Sequence, residues 1–261
     1  LLAWVILGGR TRAMTHHLQS STMPEFFEKR FFSKALKITA SVIIFVFLIP
    51  YTASLYNGLS RLFGMAFNID YTWCVIGMAV LTGIYVIVGG YMATAVNDFI
   101  QGLIMLGGIV AVVIAVLNVK GGFVEAMAEL SKFSVQTASG STQFGAYTSL
   151  FGPAPLSLLG VVILTSLGTW GLPQMIGKFY AIKDTAAIRK GTIISTVFAL
   201  IVAGGCYFLG GFVRLFSTEA DLAAGGYDSL VPNMLNGMPD ILIAVVVILV
   251  LSASMSTLSS L

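Results

Sequence analysis

Residues 252–261 read SASMSTLSSL, six hydroxyls in ten positions directly after the apolar run ILIAVVVILVL. On a helix, Ser256, Thr257 and Ser260 fall with Ala253 within about 100° of one another, because they are spaced by three, four and seven residues, and Ser259 borders the same face. Hydroxyl and carbonyl oxygens are the ligands a hard cation takes. The same hydroxyls can instead bond back to their own helix or join it to a neighbour. Spacing alone leaves both readings open.

Asp98 is the second residue with chemistry to offer. It sits between two long apolar runs with no basic residue within a dozen positions. A carboxylate in or at a membrane marks an ion path by default, and an Asp at the interface equally suits a helix N-cap. His16 and His17 have no Cys or carboxylate partners at metal spacing and read as solvated loop residues. No HExxH, nucleophile elbow, phosphate loop or pair of intramembrane carboxylates occurs. The chain therefore carries no enzyme signature.

The elements that must hold these residues follow from composition. Of the 261 residues 57% are apolar and only 10% charged, with a mean hydropathy of +0.94. Soluble domains carry about 25% charge, so this is an all-α membrane protein whose first partner is the lipid bilayer. A net charge of +3 is small, and no nucleic-acid partner is expected. Cys74 and Cys206 both fall in apolar runs and are expected to be buried thiols rather than a disulfide. The chain opens with LLAWVILGG, too short to cross a membrane, and closes inside another apolar run. That reads as an interior piece of a longer protein with truncated ends, a single transmembrane domain over residues 1–261.

Six apolar segments are long enough to span the hydrocarbon layer, at 35–63, 71–96, 99–119, 156–178, 191–216 and 239–261. Within the layer every backbone group must bond internally, so each becomes a helix. The connection at 10–37 holds Arg10, Arg12, Lys29, Arg30, Lys34 and Lys37, and that at 178–190 holds Lys178, Lys183, Arg189 and Lys190. Basic connections face the cytoplasm. The two lie an even number of spans apart, so they share that side, and a tight turn expected at Asn97–Asp98 shares it too. Glu219, Asp221 and Asp228 fall in an outer connection, as does the segment 120–155.

Smaller signals fill in the connections. Thr22 with Glu25 three residues on is a capping box, and Pro24 suits a first turn, so a short interfacial helix should start there. In 123–133, Phe123, Met127 and Leu130 share one face, as in a helix lying flat on the outer surface. Gly89–Gly90, Gly107–Gly108, Gly204–Gly205 and Gly210–Gly211 are small positions where helices can approach closely. Pro50, inside the first full span, should kink it.

Taken together, GGYMATAVNDFIQGLIM (89–105), LGTWGLPQMIGKFYAIKD (167–184) and ASMSTLSS (253–260) resemble the sodium:solute symporter family, and TMPEFFEKRF resembles its first cytoplasmic loop. The resemblance covers nearly the whole chain. It implies a five-plus-five inverted repeat of helices in the plasma membrane, with solute and sodium near the midplane. This chain would run from the end of the second core helix through most of the eighth. The implied activity is sodium-coupled uptake of a small organic solute, with Na+ as the coupling ion. The resemblance carries one sodium position onto the Ala253 carbonyl and the Ser256 and Thr257 hydroxyls. It carries a second, or exit, position onto Asp98 with Ser256, Ser259 and Ser260. Trp170, and Gln174 one turn along the same face, fall where the family contacts its solute. This chain has GLPQ where the family's proline carriers resemble GQPH, so proline itself is not carried over. Two other readings stay open: a proton-coupled carrier with Asp98 as relay, and a symporter-like sensor with a signalling module beyond Leu261.

Overall fold

Long apolar runs do become helices. The computed structural model describes residues 3–136, 142–182, 184–217, 226–236 and 238–260, and these divide into two compact units. Lys183, Glu219, Asp221 and Leu261 lie outside the described residues. Among the described residues, five helices are long and apolar enough to cross a membrane, or six if one bent pair counts as a single span.

The first unit contains residues up to Thr52 and Leu156–Ala199. Helix α1 (Gly9–His17) follows a π-helical turn over Trp4–Gly8. His16 and His17 close α1 and are exposed. Helix α2 (Met23–Phe31) starts where the capping box expects it. The Thr22 hydroxyl accepts from the Glu25 N–H at 3.3 Å, while the Glu25 carboxylate accepts from the Ser21 N–H at 2.8 Å, one residue before the usual partner. Lys29, paired with Glu25 at 2.8 Å, and the Ser21 N–H together hold that carboxyl below the usual carboxylate range. The Lys37 ammonium donates to Glu28 at 2.6 Å and ties α2 to the start of α3 (Lys34–Phe67). Helix α3 remains helical through Pro50.

The rest of this unit is α6 (Pro155–Gly168), a 3-10 turn at Thr169–Gly171, α7 (Pro173–Ala181) and the start of α8 (Thr185–Phe212). Its packing centres on Phe179, which is fully buried and meets Trp4 edge-on with ring centroids 5.0 Å apart. The indole also sits so close to Gly191 that a Cβ there would lie 2.8 Å from it. The expected span 156–178 is thus not one helix: α6 and α7 are bent by 48° at the TWGLP segment. Pro173 has no N–H to donate and pushes Leu172 into an extended conformation (ψ 129°), which ends one helix and starts the next.

The second unit contains Ala53–Pro155 and Leu200–Ser260. Its long α4 (Tyr71–Val119) is broken at Gly90, with φ 59° and ψ −173°, a region that glycine alone enters without strain. The break separates Tyr71–Gly90 from Ala93–Val119, each long and apolar enough to span. This corrects the turn expected at Asn97–Asp98. The polar pair draws the eye in the sequence, but the backbone changes direction where a side chain is absent, and both residues lie inside the second helical segment.

Helix α5 (Phe123–Ser131), a two-stranded antiparallel hairpin (β1 Ser134–Gln136, β2 Thr142–Phe144), α9 (Leu230–Leu235) and α10 (Asp240–Ser260) complete the unit. Helix α5 buries Ala126 and Leu130 beside Phe212, and Phe123 stacks on Phe208 at 5.9 Å. A core of Val112, Val116, Leu209, Met234, Leu242 and Val246 holds α4, α8, α9 and α10 together. Two of the expected small positions permit close approach: a Cβ on Gly108 would lie 3.0 Å from Leu249, and one on Gly205 2.7 Å from Ile109. The other members of those pairs, Gly107 and Gly204, meet nothing within 4 Å. Cys74 and Cys206 are both free; Cys74 is buried as expected, whereas Cys206 is exposed.

Candidate functional site

Helix α10 is apolar for its first three turns and hydroxyl-rich for its last two, and it packs along α4 more extensively than any other pair of described elements. Four of its six hydroxyls are engaged. Ser256 Oγ and Thr257 Oγ1 donate to the same acceptor, the Ala253 carbonyl, at 3.0 and 2.8 Å. Ser260 Oγ donates to the Thr257 carbonyl at 2.8 Å and is the most exposed of the group. The hydroxyl protons are thus spent on the helix's own backbone. Each hydroxyl oxygen keeps lone pairs, however, and with the Ala253 carbonyl the Ser256 and Thr257 hydroxyls bring three oxygens together.

Ser259 behaves differently. Its hydroxyl lies 3.0 Å from the Ser256 carbonyl and 3.2 Å from Asp98 Oδ1, so one proton serves two acceptors. The second bond joins residues 161 positions apart and brings the lone carboxylate of the Ala93–Val119 segment onto the hydroxyl face of α10. Asp98 is the sixth residue of that segment, five past its first, so the N-cap reading is set aside. Asp98, Ser256, Thr257 and Ser259 are all partly buried. The arrangement offers a formal negative charge beside a file of neutral oxygens, between two largely apolar helices.

The first unit places Trp170 and Gln174 on opposite sides of the α6–α7 break. Trp170 lies in the 3-10 turn and Gln174 in the first turn of α7. They are therefore not successive positions on one helical face, which corrects the expected one-turn relation. Trp170 is half-buried. Gln174 Oε1 is buried and accepts no hydrogen bond, an unusual state for a polar atom. The break opens onto an apolar groove of about 740 Å³, where Gly171, Leu172 and Pro173 face Phe27, Phe47 and Tyr51. Tyr51 was not singled out from the sequence. Its one available signal was its place directly after Pro50.

Comparison with known proteins adds an independent line. The sodium:solute symporter family matches residues 1–261, the whole chain. The osmoregulated proline transporter OpuE of Bacillus subtilis (strain 168) is 29% identical over 210 residues, covering 79% of this chain and 41% of that protein. A sodium/proline symporter of Staphylococcus aureus is 33% identical over 175 residues, covering 65% of this chain and 31% of that protein. The chain thus spans less than half the length of these curated relatives. No solved structure matches it.

Proposed function

This chain belongs to the sodium:solute symporter family, and we propose from that membership that it forms the central part of a carrier coupling solute uptake to sodium. The proposed architecture is a five-plus-five inverted repeat, of which residues 1–261 contribute the end of the second core helix through most of the eighth as one transporter domain. The proposed setting is the plasma membrane, with residues 10–37 and 178–190 cytoplasmic, in keeping with their ten Lys and Arg residues. No chemical step is involved: the solute and ion are moved unchanged.

In this reading one sodium position is formed by the Ala253 carbonyl with Ser256 and Thr257, completed by residues outside this chain. A second, coupling or exit, position is formed by Asp98 with Ser259 and Ser260. Neutral oxygens alone hold a bare cation poorly in a low dielectric, and Asp98 supplies the compensating charge. The observation that carries the proposal is the 3.2 Å contact between Ser259 and Asp98, which unites the only carboxylate of the Ala93–Val119 segment with the α10 hydroxyls. Trp170 and Gln174 are proposed to meet the solute at the α6–α7 break. The solute is a small organic molecule. The two proline carriers among the relatives make L-proline the first candidate, against which stands the GLPQ of residues 171–174.

The test is uptake into vesicles holding the full-length protein, driven by a sodium gradient at fixed pH, across a panel of amino acids, sugars and carboxylates. Accumulation of one solute that needs sodium and survives collapse of any proton gradient is the expected result. Uptake that follows the proton gradient and ignores sodium overturns the proposal.

A further inference from the structure

Helix α3 ends at Phe67, and Asn68 takes the left-handed conformation (φ 53°) that commonly closes a helix. The turn then folds back so tightly that a Cβ on Gly64 would lie 3.3 Å from the Ile69 carbonyl oxygen. Without a side chain at Gly64 the turn closes, and Tyr71, the first residue of α4, comes to the last turns of α3. Asn57, Ser60, Arg61, Gly64 and Tyr71 line one pocket of about 410 Å³ there. That is toward the low end of the range for ligand sites, about 300–1,000 Å³. The pocket lies within the second unit and shares no residue with the α10 hydroxyls or the α6–α7 break.

Its chemistry is that of hydrogen-bond donors. Arg61 Nε donates to the Asn57 side-chain oxygen, one turn back, at 3.3 Å, which orients the guanidinium. Ser60 is 1% exposed and its Oγ has no hydrogen-bond partner. Hydroxyls elsewhere in the long helices, such as Thr52, Thr192 and Thr257, donate to carbonyls of their own helix. Ser60 does not, although a buried polar group normally has a partner. Tyr71 adds a phenol, a further donor. Among the described residues no carboxylate lines the pocket, and that of Asp70 accepts from the Thr72 N–H at 2.9 Å. An oriented guanidinium among hydroxyl donors is complementary to a carboxylate, which it can hold through two parallel N–H···O bonds. We propose that this pocket binds the carboxylate of a small organic acid, with Arg61 holding the charge and Ser60 donating to it. Helix α3 starts in the basic connection with Lys34 and Lys37, so in the proposed topology its far end opens to the outside. The pocket is then an outer station that takes an acid-bearing solute from water before the solute moves inward.

The role given to the pocket rests on the uptake reading, and the test keeps the two apart. The purified full-length protein, in sodium-free choline buffer at constant chloride, is titrated with lactate and L-proline and with the primary amide of each. The concentration giving half of the full thermal stabilisation is read. At least one acid should stabilise the wild-type protein at a midpoint tenfold or more below that of its amide. Arg61→Gln should raise the acid's midpoint at least tenfold, the scale of a lost charged hydrogen bond. Ser60→Ala should raise it about fivefold, the scale of a neutral one, and should melt no lower than wild type without ligand. Acids that stabilise no better than their amides overturn the inference, as does a folded Arg61→Gln with the wild-type midpoint. If Arg61→Gln does not fold, Ser60→Ala decides on the same terms. Acid binding that needs Arg61, in a protein whose uptake ignores sodium, upholds the pocket and overturns the symport reading alone.

Discussion

At the scale of single residues, the chain separates polar groups that are bonded locally from those that reach across the fold. Ser256, Thr257 and Ser260 donate to carbonyls of their own helix, as hydroxyls in membrane helices usually do. Ser259 reaches Asp98. Asp98→Asn keeps the shape and an acceptor oxygen but removes the charge. In the full-length carrier it should lower the number of sodium ions moved per solute if the second position couples, or slow turnover at unchanged stoichiometry if that position only releases the ion. Wild-type stoichiometry together with wild-type turnover would remove Asp98 from the ion path. Trp170→Ala should raise the solute concentration for half-maximal uptake about tenfold, roughly one aromatic contact, with sodium dependence unchanged. An unaltered solute affinity in a folded variant returns Trp170 to packing. How much of this was readable differs by residue. The hydroxyl face could be drawn from spacing alone, whereas the pairing of Asp98 with α10 spans 161 positions and reached the sequence reading only through family resemblance. Tyr51 gave no signal beyond its place after Pro50, because what marks it is the groove it lines.

At the scale of elements, the apolar runs placed the spans within a few residues, and the capping box placed the start of α2. Where polarity and backbone freedom disagree, backbone freedom decides. Asn97 and Asp98 stay helical, while Gly90 takes φ 59° and ψ −173° and breaks α4. Gly90→Ala would force a side chain into that conformation at a cost of about 1–3 kcal/mol. The full-length variant should melt measurably below wild type, whereas Gly107→Ala, which meets nothing within 4 Å, should not. Equal melting temperatures for the two variants would show that the break does not need glycine. The α6–α7 break was legible in principle, since Pro173 forbids a continuous helix, yet hydropathy alone ran through it because both halves are apolar. The bend divides Trp170 from Gln174, which a continuous helix would place on one face.

At the scale of the whole molecule, sidedness and coupling are what make a bundle of helices a symporter. Arg189 is exposed near the start of α8, within the basic connection. A Cys introduced there in an otherwise Cys-free full-length protein should react with an impermeant thiol reagent only from the cytoplasmic side, and labelling from outside would invert the proposed topology. The central claim is that the α10 oxygens bind the sodium that drives uptake. It is tested most directly by the sodium dependence of uptake in Thr257→Ala, which removes one hydroxyl from the three oxygens that converge at Ala253. The half-maximal sodium concentration should rise about tenfold, the scale of one lost ligand, with the protein folded and its solute affinity at saturating sodium near wild type. A folded Thr257→Ala carrier with the wild-type sodium dependence would mean that these hydroxyls only bond their own helix, and would contradict the account.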